Sequence, residues 1–311
     1  MRIGTRRSAL ALAQAELVAG MLGGAEIVPL VTRGDRGARG GDKSRWVAEL
    51  EQALLEGRID LAVHSAKDLP GEPVAGLELL GSPARASAED VLCGSGSLDD
   101  LAGGARVGTS SLRRLAQLRA WREDLEVIPL RGNVDTRLGR LAEGAEGLSA
   151  IVLARAGLER LGRSSEAGAV LDSARFVPAP GQGSLALEGR ADDEACRAAV
   201  EALTDGPTFA CLLAERALAR ALGADCDTPL GAHGLADGAD GMLLRAWVGL
   251  PDGSHWIAEQ LEGSLADPEA LGREVAGRLL AAGAGELLQG AREAAAGDLS
   301  QGAREGAANG G

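Results

Sequence analysis

Arg2-Ile3-Gly4-Thr5 and, roughly a hundred residues later, Arg106-Val107-Gly108-Thr109 are the stretches on which the fold turns. Each reads as a short strand that ends in glycine and a hydroxyl. Each then leads into an amphipathic segment, Ser8 to Met21 after the first and Ser111 to Arg122 after the second. Glycine lets the chain turn sharply between strand and helix, and the hydroxyls can cap the helix. The N–H groups of such a first turn favour an anion.

Working outward, the same pattern recurs. Glu26-Ile27-Val28-Pro29-Leu30 is matched by Glu126-Val127-Ile128-Pro129-Leu130, and Leu61-Ala62-Val63-His64 by Ile151-Val152-Leu153-Ala154. Three elements repeated in one order predict two domains of similar topology, facing each other across a cleft that suits a small ligand. From about Thr204 the texture changes. A helical pattern (Pro207 to Leu222) is followed by a hairpin, Leu243 to Leu250 and His255 to Leu261, around Pro251-Asp252-Gly253-Ser254. A last helix is expected over Asp267 to Leu288, and the tail has little apolar content. The fold class is therefore α/β with three domains, the third smaller and built on an antiparallel sheet. The expected boundaries are 1–84 with 184–203, 89–177, and 204–297, with 298–311 a disordered tail.

Composition narrows the function. Hydrophobic residues are 45% and charged residues 25% of 311, as in a soluble globular chain, and no apolar run approaches membrane-spanning length. Early charges at Arg2, Arg6 and Arg7 without a cleavage signature argue against an export or transit segment, so the expected location is cytoplasmic. Cys93, Cys196, Cys211 and Cys226 form no CxxC pair, which favours free thiols over disulfides or zinc. A net charge of −13 excludes a general nucleic-acid binder. Yet eight arginines stand against four acids between Arg106 and Arg140, and that net-positive stretch reads either as an anion site or as a helix surface laced with salt bridges. The chain has two lysines, Lys43 and Lys67. No Walker sequence appears, which makes a nucleotide phosphate the weaker ligand.

Three histidines offer no Ser-His-Asp set and no HExxH, and metal-ligand spacing is absent. His64 alone reads as a satisfied core histidine. More specific is Ala62-Val63-His64-Ser65-Ala66-Lys67-Asp68-Leu69-Pro70, a buried strand with polar groups at its carboxyl end, where open α/β sheets bind ligands. Leu69, before proline, should be extended. On its own, Asp68 beside Lys67 is an ordinary loop ion pair.

This segment closely resembles the HSxKDxP signature of the porphobilinogen deaminase (hydroxymethylbilane synthase) family. The resemblance runs to about residue 290 and includes Val31-Thr32-Arg33-Gly34-Asp35, VGTSSLRR at Val107 to Arg114, and LRGNVDTRL at Leu130 to Leu138. It continues through Ala156 to Gly162 and Pro178-Ala179-Pro180-Gly181-Gln182-Gly183. It implies a transferase that condenses four porphobilinogen molecules head to tail with loss of ammonia, then hydrolyses off the linear tetrapyrrole hydroxymethylbilane. It also implies two domains with the topology of the lobes of periplasmic solute-binding proteins. A monomer is expected, and charge and apolar content predict no nucleic-acid or membrane partner.

By motif position, Asp68 is the catalytic carboxylate, steadying the azafulvene cation left when ammonia departs. Cys226 carries a dipyrromethane cofactor through a thioether, a bond a soft thiol nucleophile forms with an electrophilic carbon. From spacing alone Cys226 would be a small buried hydrophobe. Each pyrrole bears an acetate and a propionate, and the residues implied to hold these are Arg6, Ser8, Lys67, Thr109, Ser110, Ser111, Arg113, Arg114, Arg131, Arg137 and Arg160. No metal is implied. Two stretches depart from the family pattern. Ala224-Asp225-Cys226 replaces Gly-Gly-Cys, and the active-site loop GGKGLF reads Gly41-Asp42-Lys43-Ser44-Arg45-Trp46, with Lys43 and Trp46 at the corresponding positions. A binding protein that clamps an anionic molecule without catalysis is the alternative of another class, and it gives the HSAKDLP and Cys226 pairing no purpose.

Overall fold

The structure, a computed structural model, describes residues 1–30, 44–225 and 228–294, with 44–46 as backbone alone. These residues form three sheets. The first contains β1 (Arg2–Arg6), β2 (Glu26–Leu30), β3 (Leu61–Ser65), β4 (Leu77–Gly81) and β10 (Leu185–Arg190) in the order β2-β1-β3-β10-β4. The second contains β5 (Asp90–Cys93), β6 (Arg106–Gly108), β7 (Glu126–Ile128), β8 (Leu148–Ala154) and β9 (Ala169–Val170) in the order β7-β6-β8-β5-β9. In both, the first three strands are parallel, and the fourth runs antiparallel to its neighbours on either side. In the first sheet that fourth strand, β10, returns after the whole second sheet, whereas in the second sheet β5 is the first strand in the chain. Residues 82–89 and 178–184 cross between the sheets side by side.

The central strands are nearly continuous apolar runs because helices cover both faces. In the first sheet, Ile3, Leu61, Val63, Leu185 and Leu187 pack with Ala15 and Val18 of α1 (Ala9–Met21) and with Cys196 and Val200 of α6 (Glu194–Glu201). Ala62 and Ile59 pack on the opposite face with Leu50 and Leu54 of α2 (Ser44–Leu55). In the second sheet, Val107, Val127 and Val152 meet Leu118 of α3 (Leu112–Trp121). Val91, Ile151 and Leu153 meet Leu138 of α4 (Val134–Ala142) and Leu158 of α5 (Arg155–Arg160).

The capping expectation holds: Ser8 accepts from the Ala11 N–H and Ser111 from the Arg114 N–H. The explanation for the glycines needs correcting. Gly4 and Gly108 lie inside their strands, outside the set of positive-φ glycines. A Cβ on Gly4 would come within 2.2 Å of Ile59 Cδ1, and one on Gly108 within 2.8 Å of Leu130 Cδ2. Glycine is needed there for close packing of the layers and not for a sharp turn.

The third sheet is an antiparallel meander of β11 (Leu230–Asp237), β12 (Gly241–Gly249) and β13 (Trp256–Ser264). One face is covered by α7 (Gly206–Ala221) and α8 (Pro268–Ala281). The expected last helix is interrupted: α8 ends at Ala281, Gly283 adopts φ +102°, and helix resumes over 284–294. Trp247, buried against Ala116 of α3, stacks with Trp256 at 6.4 Å, and Trp121 of α3 lies 6.1 Å from Trp256. These contacts dock the meander on the second sheet's helix layer.

Candidate active site

Strand β3 delivers its carboxyl end to the crossing between the two large sheets. A 3-10 turn over Ala66–Asp68 follows, and Leu69 is extended at φ −80°, ψ 129°, as its place before Pro70 requires. The turn is backed by the second crossing segment, since the Ala66 N–H donates to Ser184 O at 3.1 Å. Gly181, at φ +74°, lies so close that a Cβ there would be 3.0 Å from the Lys67 nitrogen. Asp68 lines a cavity with Arg6, Ser8, Gln14, His64 and Ser65. Gln14 is 3% exposed and was not legible as a site residue, because one glutamine on an amphipathic helix carries no signal until its face is known. His64 is a core histidine that also borders this cavity, its Nε2 3.1 Å from the buried Glu188 carboxylate on β10.

The second sheet contributes cations from the opposite side. Arg137 on α4 donates through Nε to Gly132 O at 2.9 Å. Burial pulls its pKa down to about 10, Arg114 acts in the same direction, and the negative charge of Asp68 opposes both. Arg160, at the end of α5, donates to Gly183 O at 2.7 Å. Burial lowers it to about 10 against the influence of Glu159, and its Nε is buried without a partner. Arg131 and Ser110 are exposed, while Thr109 is buried and accepts from the Ser111 N–H at 3.2 Å.

Arg113 and Arg114 are placed differently. Both are buried and converge on Asp90, at 2.7 Å each. Arg113 also donates to Val177 O, and Arg114 to Val152 O. Burial alone would push the Asp90 carboxyl up, but the two guanidiniums outweigh it and hold its pKa at about 2. Gln182, 1% exposed, donates to Asp90 Oδ1 at 3.0 Å and accepts from Lys67 Nζ at 3.3 Å. A polar chain thus runs from Arg113 and Arg114 through Asp90 and Gln182 to Lys67, next to Asp68.

Cys226, Lys43 and the side chain of Trp46 lie outside the described residues, as does the 298–311 tail. The other three cysteines are buried, and burial is the main reason their thiols rise to about 11. Among the described residues no cluster of three or more His, Cys, Asp or Glu could hold a metal ion, and no helix is long and apolar enough to cross a membrane.

The donor set suits a polyanion. Arg137 and Arg160 are half-buried cations that make no ion pair among the described residues, and Arg160 keeps an unpartnered Nε. Guanidiniums and hydroxyls on both sides of one acid fit a dipyrromethane with its acetates and propionates.

Comparison with known proteins gives the same chemistry. A family model described as "Porphobilinogen deaminase, dipyromethane cofactor binding domain" matches residues 1–198, and "Porphobilinogen deaminase, C-terminal domain" matches 209–281. The chain is 45% identical over 308 residues to a porphobilinogen deaminase of Acidothermus cellulolyticus, covering 94% of this chain and 92% of that one. It is 46% identical over 301 residues to one of Xanthomonas euvesicatoria, covering 93% and 98%. Among solved structures, the methionine-binding protein MetQ aligns at 13% identity and TM-score 0.40 over 65% of this chain and 89% of its own. At that score the likeness carries no weight.

Proposed function

The chain belongs to the porphobilinogen deaminase family, and from that premise we propose which of its residues perform the family's chemistry. Its reaction is the stepwise condensation of four porphobilinogen molecules with release of ammonia, then hydrolysis to free hydroxymethylbilane. It is a transferase of tetrapyrrole biosynthesis and carries a dipyrromethane cofactor. When bound, that group supplies the pyrrole carbon to which substrate units are joined.

Asp68 is the catalytic carboxylate. Ammonia loss from porphobilinogen leaves a positive charge delocalised over the ring. A carboxylate at the pyrrole N–H stabilises that charge and takes up or returns the ring proton. The observation that carries this reading is the position of Asp68 at the carboxyl end of β3, in the cavity shared with Arg6 and Ser8 and within the electrostatic reach of Arg137. Arg6, Ser8, Arg131, Arg137 and Arg160, with Lys67 and the Thr109–Ser111 turn, hold acetates and propionates. Arg113 and Arg114 act from behind: fixed on Asp90, they keep the cleft wall positive and rigid. Cys226 is the attachment thiol, supported by the burial and raised pKa values of the other three cysteines. Lys43 and Trp46 are assigned to the family's active-site segment by motif position, and the backbone of Trp46 lies in the first turn of α2 and not in a loop.

The domain division is 1–84 with 184–203, 89–177, and 204–297, supported by one sheet in each. The protein works as a cytoplasmic monomer without nucleic-acid or membrane partners, in keeping with its net charge of −13. Ammonia release from porphobilinogen tests the central assignment. Asp68→Asn is expected to lower it at least ~100-fold with the melting temperature unchanged, and near-normal turnover would remove Asp68 from the mechanism.

A further inference from the structure

Helix α7 ends five residues before Cys226, and one of its faces lies on the loop that carries Asp68. Leu212, Arg216 and Arg220 share that face at four-residue intervals. Leu212 packs with Ala66 and Leu69. The stem of Arg220 lies against Gly71, where an added Cβ would be 3.2 Å from Arg220 Cγ. Between them Arg216, 7% exposed, donates from Nη2 to Pro70 O at 2.7 Å and Gly71 O at 3.1 Å, and from Nη1 to Leu69 O at 3.4 Å.

This is an unusual use of a buried cation. Among the described residues no carboxylate pairs with Arg216, and burial and Arg220 both press its pKa below the usual arginine value, with Glu188 and Glu72 opposing. Burying a guanidinium without a paired anion is costly, and here its hydrogen bonds among the described residues go to carbonyl dipoles. Those three carbonyls belong to the residues directly after Asp68. The preceding residue on the helix, Glu215, grips the loop's other support: it accepts from the Gly181 N–H at 2.6 Å, and Gly181 backs Ala66 and Lys67. One turn of α7 therefore holds the acid loop directly through 69–71 and indirectly through 181.

We propose that Arg216 is a positioning residue for catalysis: its planar fork registers the Asp68 loop against the helix that leads to the cofactor-bearing cysteine. The inference rests on the assignment of Asp68 as the acid. A primer tethered to one domain and an acid on another must stay aligned while the chain grows. A guanidinium bridging three successive carbonyls fixes loop orientation in a way that a single ammonium donor cannot. Misplacement of a reacting group by about 1 Å can cost on the order of 100-fold in rate, whereas substrate carboxylates held by other arginines bind as before.

The test compares Arg216→Ala and Arg216→Lys with the native holoenzyme, reading kcat, KM for porphobilinogen, melting temperature and the mass of the Cys226 peptide. For folded Arg216→Ala carrying its primer, kcat should fall at least ~10-fold with KM within about 3-fold, and millimolar guanidinium should restore part of the rate. An unchanged kcat, or a loss that merely follows the folded fraction and is not rescued, overturns the proposal. If the alanine variant does not fold, Arg216→Lys decides: reduced kcat at an unchanged KM is expected, and native kcat refutes the need for a fork. Asp68→Asn run alongside separates the two ideas. Normal turnover by that variant sinks the assignment of the acid, whereas its failure beside fully active Arg216 variants sinks only the role of Arg216.

Discussion

Strands β10 and β5 occupy the same place in two sheets of the same order, each just beside a crossing between the sheets, and each carries a buried carboxylate. Their partners differ. Glu188 meets a single imidazole, His64, at 3.1 Å, at the edge of the cavity that holds Asp68. Asp90 meets two guanidiniums and the amide of Gln182. The duplicated framework thus serves two purposes. In the first sheet the crossing strand leaves the carboxyl end of β3 open to the cleft and its acid. In the second it anchors two arginines of the cationic stretch inside the wall, and Arg137 and Arg160 are left without an ion pair among the described residues.

The sharpest way to break this comparison is Asp90→Asn. It leaves two buried guanidiniums without their carboxylate and should cost roughly 3–5 kcal/mol of folding stability, measured by urea denaturation. A loss under about 1 kcal/mol would mean the arginines find other partners or water. A pH titration of stability sharpens the same point. The Asp90 pKa lies below its ordinary value, at about 2 instead of 3.8, so its contribution is present above pH 3.8 and is lost as pH falls through the folded value. The contribution is about 2 kcal/mol, and Asp90→Asn should remove that part of the acid limb.

Glu188→Gln should be milder, about 1–2 kcal/mol by the same denaturation measurement, because the amide still offers His64 a hydrogen-bond partner. A loss as large as that of Asp90→Asn would erase the distinction between the two sheets. The smallest stability change belongs to Arg137→Leu, within about 0.5 kcal/mol, since a partly exposed cation without an ion pair contributes little to folding. Its effect should fall on the reaction, with porphobilinogen turnover down about 10-fold or more. Unaltered turnover would place Arg137 outside the ligand's reach.

Much of this was legible in the sequence because it is local. The repeated strand pairs, the Ser8 and Ser111 caps, the 251–254 hairpin turn and the extended Leu69 before Pro70 each depend on a few adjacent residues. The resemblance then marked the motif residues. Long-range partners were not legible. Glu188 meets His64 across 124 positions, Gln182 reaches Asp90 across 92, and Arg216 reaches Pro70 across 146. Periodicity marks such residues as polar members of buried elements but cannot name the group each will meet. Gly4 and Gly108 were recognised for the wrong reason, since a turn and a tight layer contact both select glycine and only the packing distinguishes them.

The proposed chemistry requires a primer held by Cys226 within reach of Asp68. Mass analysis of the peptide containing Cys226, taken from freshly purified active protein, tests this most directly. The peptide is expected to carry two covalently linked pyrrole units, and an unmodified Cys226 thiol in catalytically active protein would contradict it.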